Sequence, residues 1–334
     1  MDTVTQIALG TVIAEAFFRK QLGYSSLLFG GFCGWLPDID VFFFHDWDEL
    51  EYHRSLTHSL LFLPLITPLV GEIGVYLGKK GTRSSWYGLT FWSLVTHPLL
   101  DWNTSYGTKL LYPLSNHRFA IDSVGIIDLI YTIPLLYIMW AAYSQKTNRE
   151  GNRKRAQYSL FLTTGYLGLG LIGSQMTISR FHEQLHAQQF TPISTRCNPL
   201  PLFSPLRRMA AMDAEGNIAI GLGHVFQHDV EIEIAPNTAS EAAKKVLETT
   251  EGEILSRFAF QILRIVEEDD RVIYQASMYG LLSDPWNSPF SAEALRTNGS
   301  LSSLNMRQRA LNIDIVTELR LGMHKTFFLD IQKE

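Results

Sequence analysis

The chain has 334 residues, 46% hydrophobic and 18% charged, with a formal net charge of -5 and two cysteines. That length suits roughly two or three domains, and the near-neutral balance gives no electrostatic case for nucleic acid. Cys33 lies in an apolar run and Cys197 in a polar region, which argues against a structural disulfide.

Hydropathy divides the chain at about residue 179, with long apolar stretches before it and ordinary charge density after it. The opening "MDTVTQ" lacks a positive region and no small-residue cleavage site follows, so no secretory signal peptide is expected. Residues 3–18 and 24–36 form two short apolar runs, read as either tilted spans or a re-entrant hairpin. Four longer runs follow at residues 59–78, 86–100, 124–143 and 159–179, each with at most one charge. About 20 apolar residues cross a bilayer as helix. The expectation is therefore an α-helical polytopic membrane domain of about four to six membrane helices over residues 1–179. A small soluble α+β domain is expected over residues 180–334.

Lys and Arg in the short loops set the expected orientation. Arg19, Lys20, Lys79, Lys80, Arg83, Lys146, Arg149, Arg153, Lys154 and Arg155 fall in one set of loops, and only Arg54, Lys109 and Arg118 in the other. The basic set is assigned to the cytoplasm. The loops at residues 37–57 and 101–122 and the C-terminal domain are then extracytoplasmic.

The polar residues gather on that outer side. "LPDIDVFFFHDWDELEYHRSLTHS" carries Asp38, Asp40, His45, Asp46, Asp48, His53 and His58, of which Asp46 and Asp48 read as solvated. His97 and Asp101 stand four apart, on one helix face. Asp38 and Asp40 point the same way if extended. Imidazole with carboxylate is the ligand set of zinc, with manganese or iron as alternatives, and one or two ions fit such a set. Pro98, directly after His97, is expected to loosen that helix.

The order "MDTVTQ", "LPDID", "HRSLTHS", "THPLLDWNTSYGTKLLYPLS" resembles the YdjM-like family of bacterial inner-membrane, metal-dependent hydrolases, in its longer subgroup with a C-terminal extracytoplasmic domain. The resemblance spans residues 1–143 and continues more weakly beyond. It implies a divalent metal site at the matching positions Asp38, Asp40, His53, His58, His97 and Asp101. Many members read THxxxG where this chain has Thr5 and Gln6, so Gln6 is not assigned to the site.

The expected chemistry is a metal-activated water, its pKa lowered from about 15.7 to roughly 7, attacking a phosphoryl or carbonyl centre. Asp101 or Asp38 would take the proton and Arg54 would hold an anionic group. Asp2, Thr57, Thr104, Tyr106 and Asp128 are expected to support the ligands, the last as an ionisable group inside an apolar run. Glu15 and Glu72 read as helix-packing partners, able to pair with Arg19, Lys20 or each other. A site at the membrane surface favours a lipid or lipid-linked ester or phosphoester as substrate. A non-catalytic metal- or lipid-binding membrane protein would use the same ligands. A transporter is disfavoured, since it would place such groups at the midplane of two related halves.

In the C-terminal part, residues 229–235 ("DVEIEIA") alternate as a half-buried strand. Residues 217–226, 271–280, 312–322 and 325–332 also read as strands, and residues 238–249 and 253–268 as helices, the first capped by Thr238 or Ser240. His224 and His228 read as surface residues.

Overall fold

The computed structural model describes residues 1–144, 149–297, 300–306 and 315–327. They form two compact units, Met1–Gly170 and Leu171–Glu334.

In the first unit, Asp2 opens α1 (Thr3–Ile13) by accepting the Thr5 N–H at 3.0 Å, the usual way to satisfy an orphaned helix donor. The helix widens into a π turn (Ala14–Phe18) and a last turn, α2 (Arg19–Leu22), ended by Gly23 with φ +83°. Arg19 pairs with Glu15 there, as expected. The next helix, α3 (Ser25–Trp35), packs on α1 almost backbone to backbone. A Cβ built on Gly10 would lie 2.1 Å from the Gly30 carbonyl oxygen, and one on Gly34 would lie 2.4 Å from that of Gln6. Only small residues permit such an approach.

Pro37 turns the chain into a 3-10 segment (Leu36–Phe42) that carries Asp38 and Asp40. Short α4 (Asp46–Tyr52) and a 3-10 turn (Leu56–His58) lead into α5 (Leu63–Leu77), which packs on α6 (Arg83–Asp101) where Gly71 meets Tyr87 and Gly78 meets Trp86. Asp128 stands before α7 (Leu129–Ser144), and α8 (Arg149–Ala187) carries the chain from the first unit into the second. The core of the first unit holds Leu9, Val12, Leu27, Leu89, Leu94 and Leu135, all buried.

The expectation of a polytopic domain with four to six membrane helices is corrected here. Among the described residues, no single helix is long and apolar enough to cross a membrane. Run length counted between charges overstated helix length. The run at 59–78 is helical only over the 15 residues of α5, and that at 124–143 only over the 16 residues of α7. At 1.5 Å per residue these reach about 22 and 24 Å, short of a core of roughly 30 Å. Although α6 has 19 residues, Ser, Thr, His and terminal charges dilute it, and glycines and threonines do the same to the apolar part of α8. The segments Asp46–His58 and Leu63–Leu77 pass together on length and composition, but they meet at 71°. Sides assigned from basic loops presuppose crossings, so they lose their footing. Lys146 lies outside the described residues, as does the side chain of Arg149. The first unit nonetheless exposes large apolar side chains, including Leu65, Leu69, Tyr76, Ile133, Trp140 and Phe161.

The described residues of the second unit form two antiparallel sheets. The first is a meander of β1 (Ser194–Leu200), β2 (Phe203–Met212), β3 (Ile218–His224) and β4 (Val230–Ala235), in that spatial order. The helices α9 (Glu241–Val246) and α10 (Thr250–Phe258) follow, α9 capped by Ser240. Next come β5 (Leu263–Glu267), β6 (Arg271–Ala276), β7 (Ser291–Thr297), β8 (Ser300–Leu301) and β9 (Asn305–Met306), with β5 to β8 in order and β9 also on β7. The helix expected over 253–268 stops at Phe258, because Phe260 and Gln261 take positive φ, and residues 263–267 pair as β5. The strand expected over 312–322 is helical where described, as α11 (Ile315–Phe327). Of the strand expected at 325–332, residues 325–327 belong to α11 and the rest lies outside the described residues. His228 is exposed, but His224 is buried and its Nδ1 accepts the Phe226 N–H at 3.2 Å.

Candidate metal centre

Three chain segments converge in the first unit. The 3-10 segment supplies Asp38, the 3-10 turn His58, and the last turn of α6 both His97 and Asp101. All four are buried, and one ligand atom from each lies within 4.8 Å of every other. The His58 and His97 Nε2 atoms face each other at 3.1 Å. Asp38 Oδ1 stands 3.4 and 3.2 Å from those two nitrogens, and Asp101 Oδ2 stands 3.3 and 3.5 Å from them.

The proton inventory shows why this grouping calls for a cation. His97 Nδ1 lies 2.6 Å from the Gly34 carbonyl oxygen, which only accepts, so Nδ1 carries the hydrogen. Thr57 gives its hydroxyl hydrogen to Asp40 Oδ2 at 2.7 Å, so its oxygen accepts from His58 Nδ1 at 2.9 Å. In the neutral rings both Nε2 atoms therefore present lone pairs to each other, between two carboxylate oxygens. Such an arrangement is repulsive unless a positive charge lies among the four atoms. Asp101 Oδ2 is buried without a hydrogen-bond donor, as a ligand oxygen would be.

Spacing agrees with this requirement. An ion bound tetrahedrally with bonds of about 2.0–2.1 Å separates its ligands by roughly 3.3–3.4 Å; the two imidazole nitrogens lie 3.1 Å apart and 3.2 to 3.5 Å from the carboxylate oxygens, with all four atoms within 4.8 Å of one another. Two imidazole nitrogens and two carboxylate oxygens suit zinc, and also manganese or iron.

Electrostatics point the same way. Burial works against charge on His97, but Asp38 and Asp101 overcome it and raise the imidazole to about 9. Burial also raises the Asp38 carboxyl, yet the charge on His97 beside it holds it well below its usual range. In Asp101 the same opposition is won by Arg54, the Met1 amino group and His97.

The remaining expected site residues surround this cluster. Asp40 and His53 stand outside the four atoms, with His53 Nδ1 2.8 Å from Asp40 Oδ1. Asp40 also accepts the Arg54 N–H at 3.1 Å, so it anchors the loop that presents His58. Arg54 takes φ +60° and is buried; its Nε lies 3.2 Å from Asp101 Oδ2 and its Nη1 donates to Thr104 Oγ1 at 3.1 Å. Thr104 returns its own hydrogen to the Asp101 carbonyl at 2.8 Å. The Tyr106 ring lies 5.0 Å from the Arg54 guanidinium and 5.4 Å from the His53 ring. Asp2 and Asp128 act locally as caps, Asp128 accepting from the Tyr131 N–H at 3.0 Å and the Tyr166 hydroxyl at 2.9 Å.

Two contributors escaped the sequence reading. Gln6 Nε2 donates to Asp101 Oδ1 at 3.0 Å and to the His97 carbonyl at 3.3 Å. Gly34 contributes only a backbone oxygen, so its residue type carries no chemical signal. The Gly30 and Gly34 spacing does signal a close helix approach.

A family model described as YdjM inner membrane protein matches residues 1–177, more than half of the chain. The chain belongs to the YdjM inner membrane protein family. The match contains the whole of the cluster. The inner membrane protein YbcI of Escherichia coli (strain K12) is 32% identical over 121 residues, covering 35% of this chain and 69% of that protein. No solved structure matches the chain significantly. YdjM family membership and the buried His and Asp cluster thus rest on separate observations.

Proposed function

We propose that this chain is a metal-dependent hydrolase of the inner membrane that cleaves an ester or phosphoester of a lipid or lipid-linked substrate. The observation that carries the reading is the pair of facing Nε2 atoms on His58 and His97, flanked by one oxygen each of Asp38 and Asp101. A divalent ion held there would supply Lewis acidity and a water acidified to roughly pKa 7.

The chain's own groups divide the remaining work. Asp101 is fully buried and its Oδ1 is engaged, whereas the Asp38 side chain keeps 11% exposure and only Oδ1 enters the cluster. Asp38 is therefore the better proton acceptor, a narrower role than either carboxylate alone suggested. Arg54 stands beside the cluster with its Nε 3.2 Å from Asp101 Oδ2, and its planar guanidinium suits a phosphate or carboxylate group.

A lipid substrate is supported by the surroundings. A cavity of about 920 Å³ opens against α6, lined by Leu9, Trp92, Leu99, Leu100, Tyr131 and Phe161 among others. Three of its polar groups are engaged within the chain: Thr96 donates to the Trp92 carbonyl, the Asn103 amide to that of Leu99 and the Gln157 amide to that of Ala16. Such walls accept hydrocarbon and offer a polar ligand little. The exposed apolar side chains of α5 and α7 suit contact with lipid.

A second reading has its own observation. Four protein atoms gathered within 4.8 Å of one another can fill zinc's coordination, as structural sites do. Detergent-purified protein assayed on lipid phosphate esters and carboxylic esters distinguishes the two. Turnover that disappears in Asp38→Asn, with metal content kept, supports hydrolysis. Metal-loaded protein inert on every ester supports the non-catalytic site.

A further inference from the structure

Asp101 reaches the cluster with one oxygen only. Its Oδ2 faces the two imidazoles, while Oδ1 is turned toward α1 and meets Gln6 Nε2 at 3.0 Å and the Met1 amino group. Gln6 is 1% exposed, and both acceptors of its amide nitrogen belong to the last turn of α6. Asp101 Oδ1 and the His97 carbonyl can only accept, so the amide orientation is fixed with nitrogen toward them. The amide oxygen is left buried without a donor.

Position explains why that orientation persists. The Gln6 carbonyl oxygen lies where a Cβ on Gly34 would meet it at 2.4 Å, so the backbone of Gln6 is clamped to α3 beside the Gly34 oxygen that holds His97 Nδ1. The same contact region thus sets the ring of His97 and the carboxylate of Asp101.

We propose that Gln6 is a positioning residue of the metal centre, its two amide hydrogens gripping His97 and Asp101 so that Asp101 offers a single oxygen to the ion. The proposal rests on the metal reading of the cluster. A carboxylate freed of this grip rotates to present both oxygens, which raises the coordination number and weakens the fit to the imidazole pair. Hydrogen-bond partners that orient ligands in this way typically contribute 10–100-fold in metal affinity. Gln6 shares Oδ1 with the Met1 amino group, so its removal is expected at the lower end, about tenfold.

The test titrates Co²⁺ into metal-stripped full-length protein in detergent and follows the visible d–d bands, whose intensity falls as coordination rises from four to five. Wild type is expected to give intense four-coordinate bands. Gln6→Met, of similar length and without donors, is expected to bind about tenfold more weakly with weaker bands. Gln6→Glu keeps the shape and sets an acceptor against Asp101 Oδ1, so it serves if the Met variant fails to fold, and it is expected to lose affinity likewise. A folded variant of either kind with wild-type affinity and spectrum overturns the role of Gln6 while leaving the metal site standing. Wild type that takes up no Co²⁺ overturns both.

Discussion

At the scale of residues, His58 and His97 act as one device, because each commits Nδ1 to a neighbour and turns Nε2 toward the other ring. Thr57 is the hinge of the His58 half, donating to Asp40 and accepting from the ring. Thr57→Val keeps the shape and removes both bonds, so metal affinity is expected to fall about 10–100-fold, measured by competition with a chelator; unchanged affinity would remove Thr57 from the site. Protons compete for the same atoms. His97 is raised to about 9 and binds an ion only when Nε2 is free, so affinity is expected to rise with pH from 7 toward 9. Isothermal titration at pH 7 in buffers of different protonation heat should show about one proton released per ion, and no release would contradict the assignment. His58, His97, Asp38 and Asp101 were legible in the sequence because ligand types recur at motif spacing. Gln6 was not, since an amide is an uncommon ligand and its contact crosses 95 positions of chain.

Among the elements, the decisive contact is that of α1 with α3. Gly10, Gly30 and Gly34 let the two backbones touch, which brings Gln6 and the Gly34 oxygen to α6. Gly10→Ala would drive a Cβ to 2.1 Å from the Gly30 oxygen. The helices must separate, with an expected loss of about 1–3 kcal/mol in thermal unfolding and weaker metal binding alongside. A variant as stable and as metal-avid as wild type would show that the approach is not needed. Helix existence was readable over most of the first unit, but helix ends were not. The apolar run at 124–143 includes residues 124–128, which precede α7, because Asp128 accepts the Tyr131 N–H and starts the helix there. In the second unit the alternating "DVEIEIA" was plain as β4, whereas β5 was read as the end of a helix. The two positive-φ residues that break it, Phe260 and Gln261, are types that carry no turn signal.

For the whole molecule, the cluster joins segments from residues 38 to 101 within the unit Met1–Gly170, and metal binding there stabilises the folded state by mass action. An ion present at a hundred times its dissociation constant contributes about 2.7 kcal/mol. Chelation is therefore expected to lower the melting temperature by several degrees, and His58→Ala should melt like the chelated protein whether or not chelator is added. Membership of an inner membrane protein family and an apolar surface agree, although among the described residues no single helix is long and apolar enough to cross a membrane. The most direct measurement is the metal content of the purified full-length protein by plasma mass spectrometry, beside that of the His58→Ala, His97→Ala double variant. About one divalent ion per chain in wild type and none in the variant is the expected result. Metal-free wild type, or a double variant that keeps its ion, would contradict the assignment of these four residues as a metal centre.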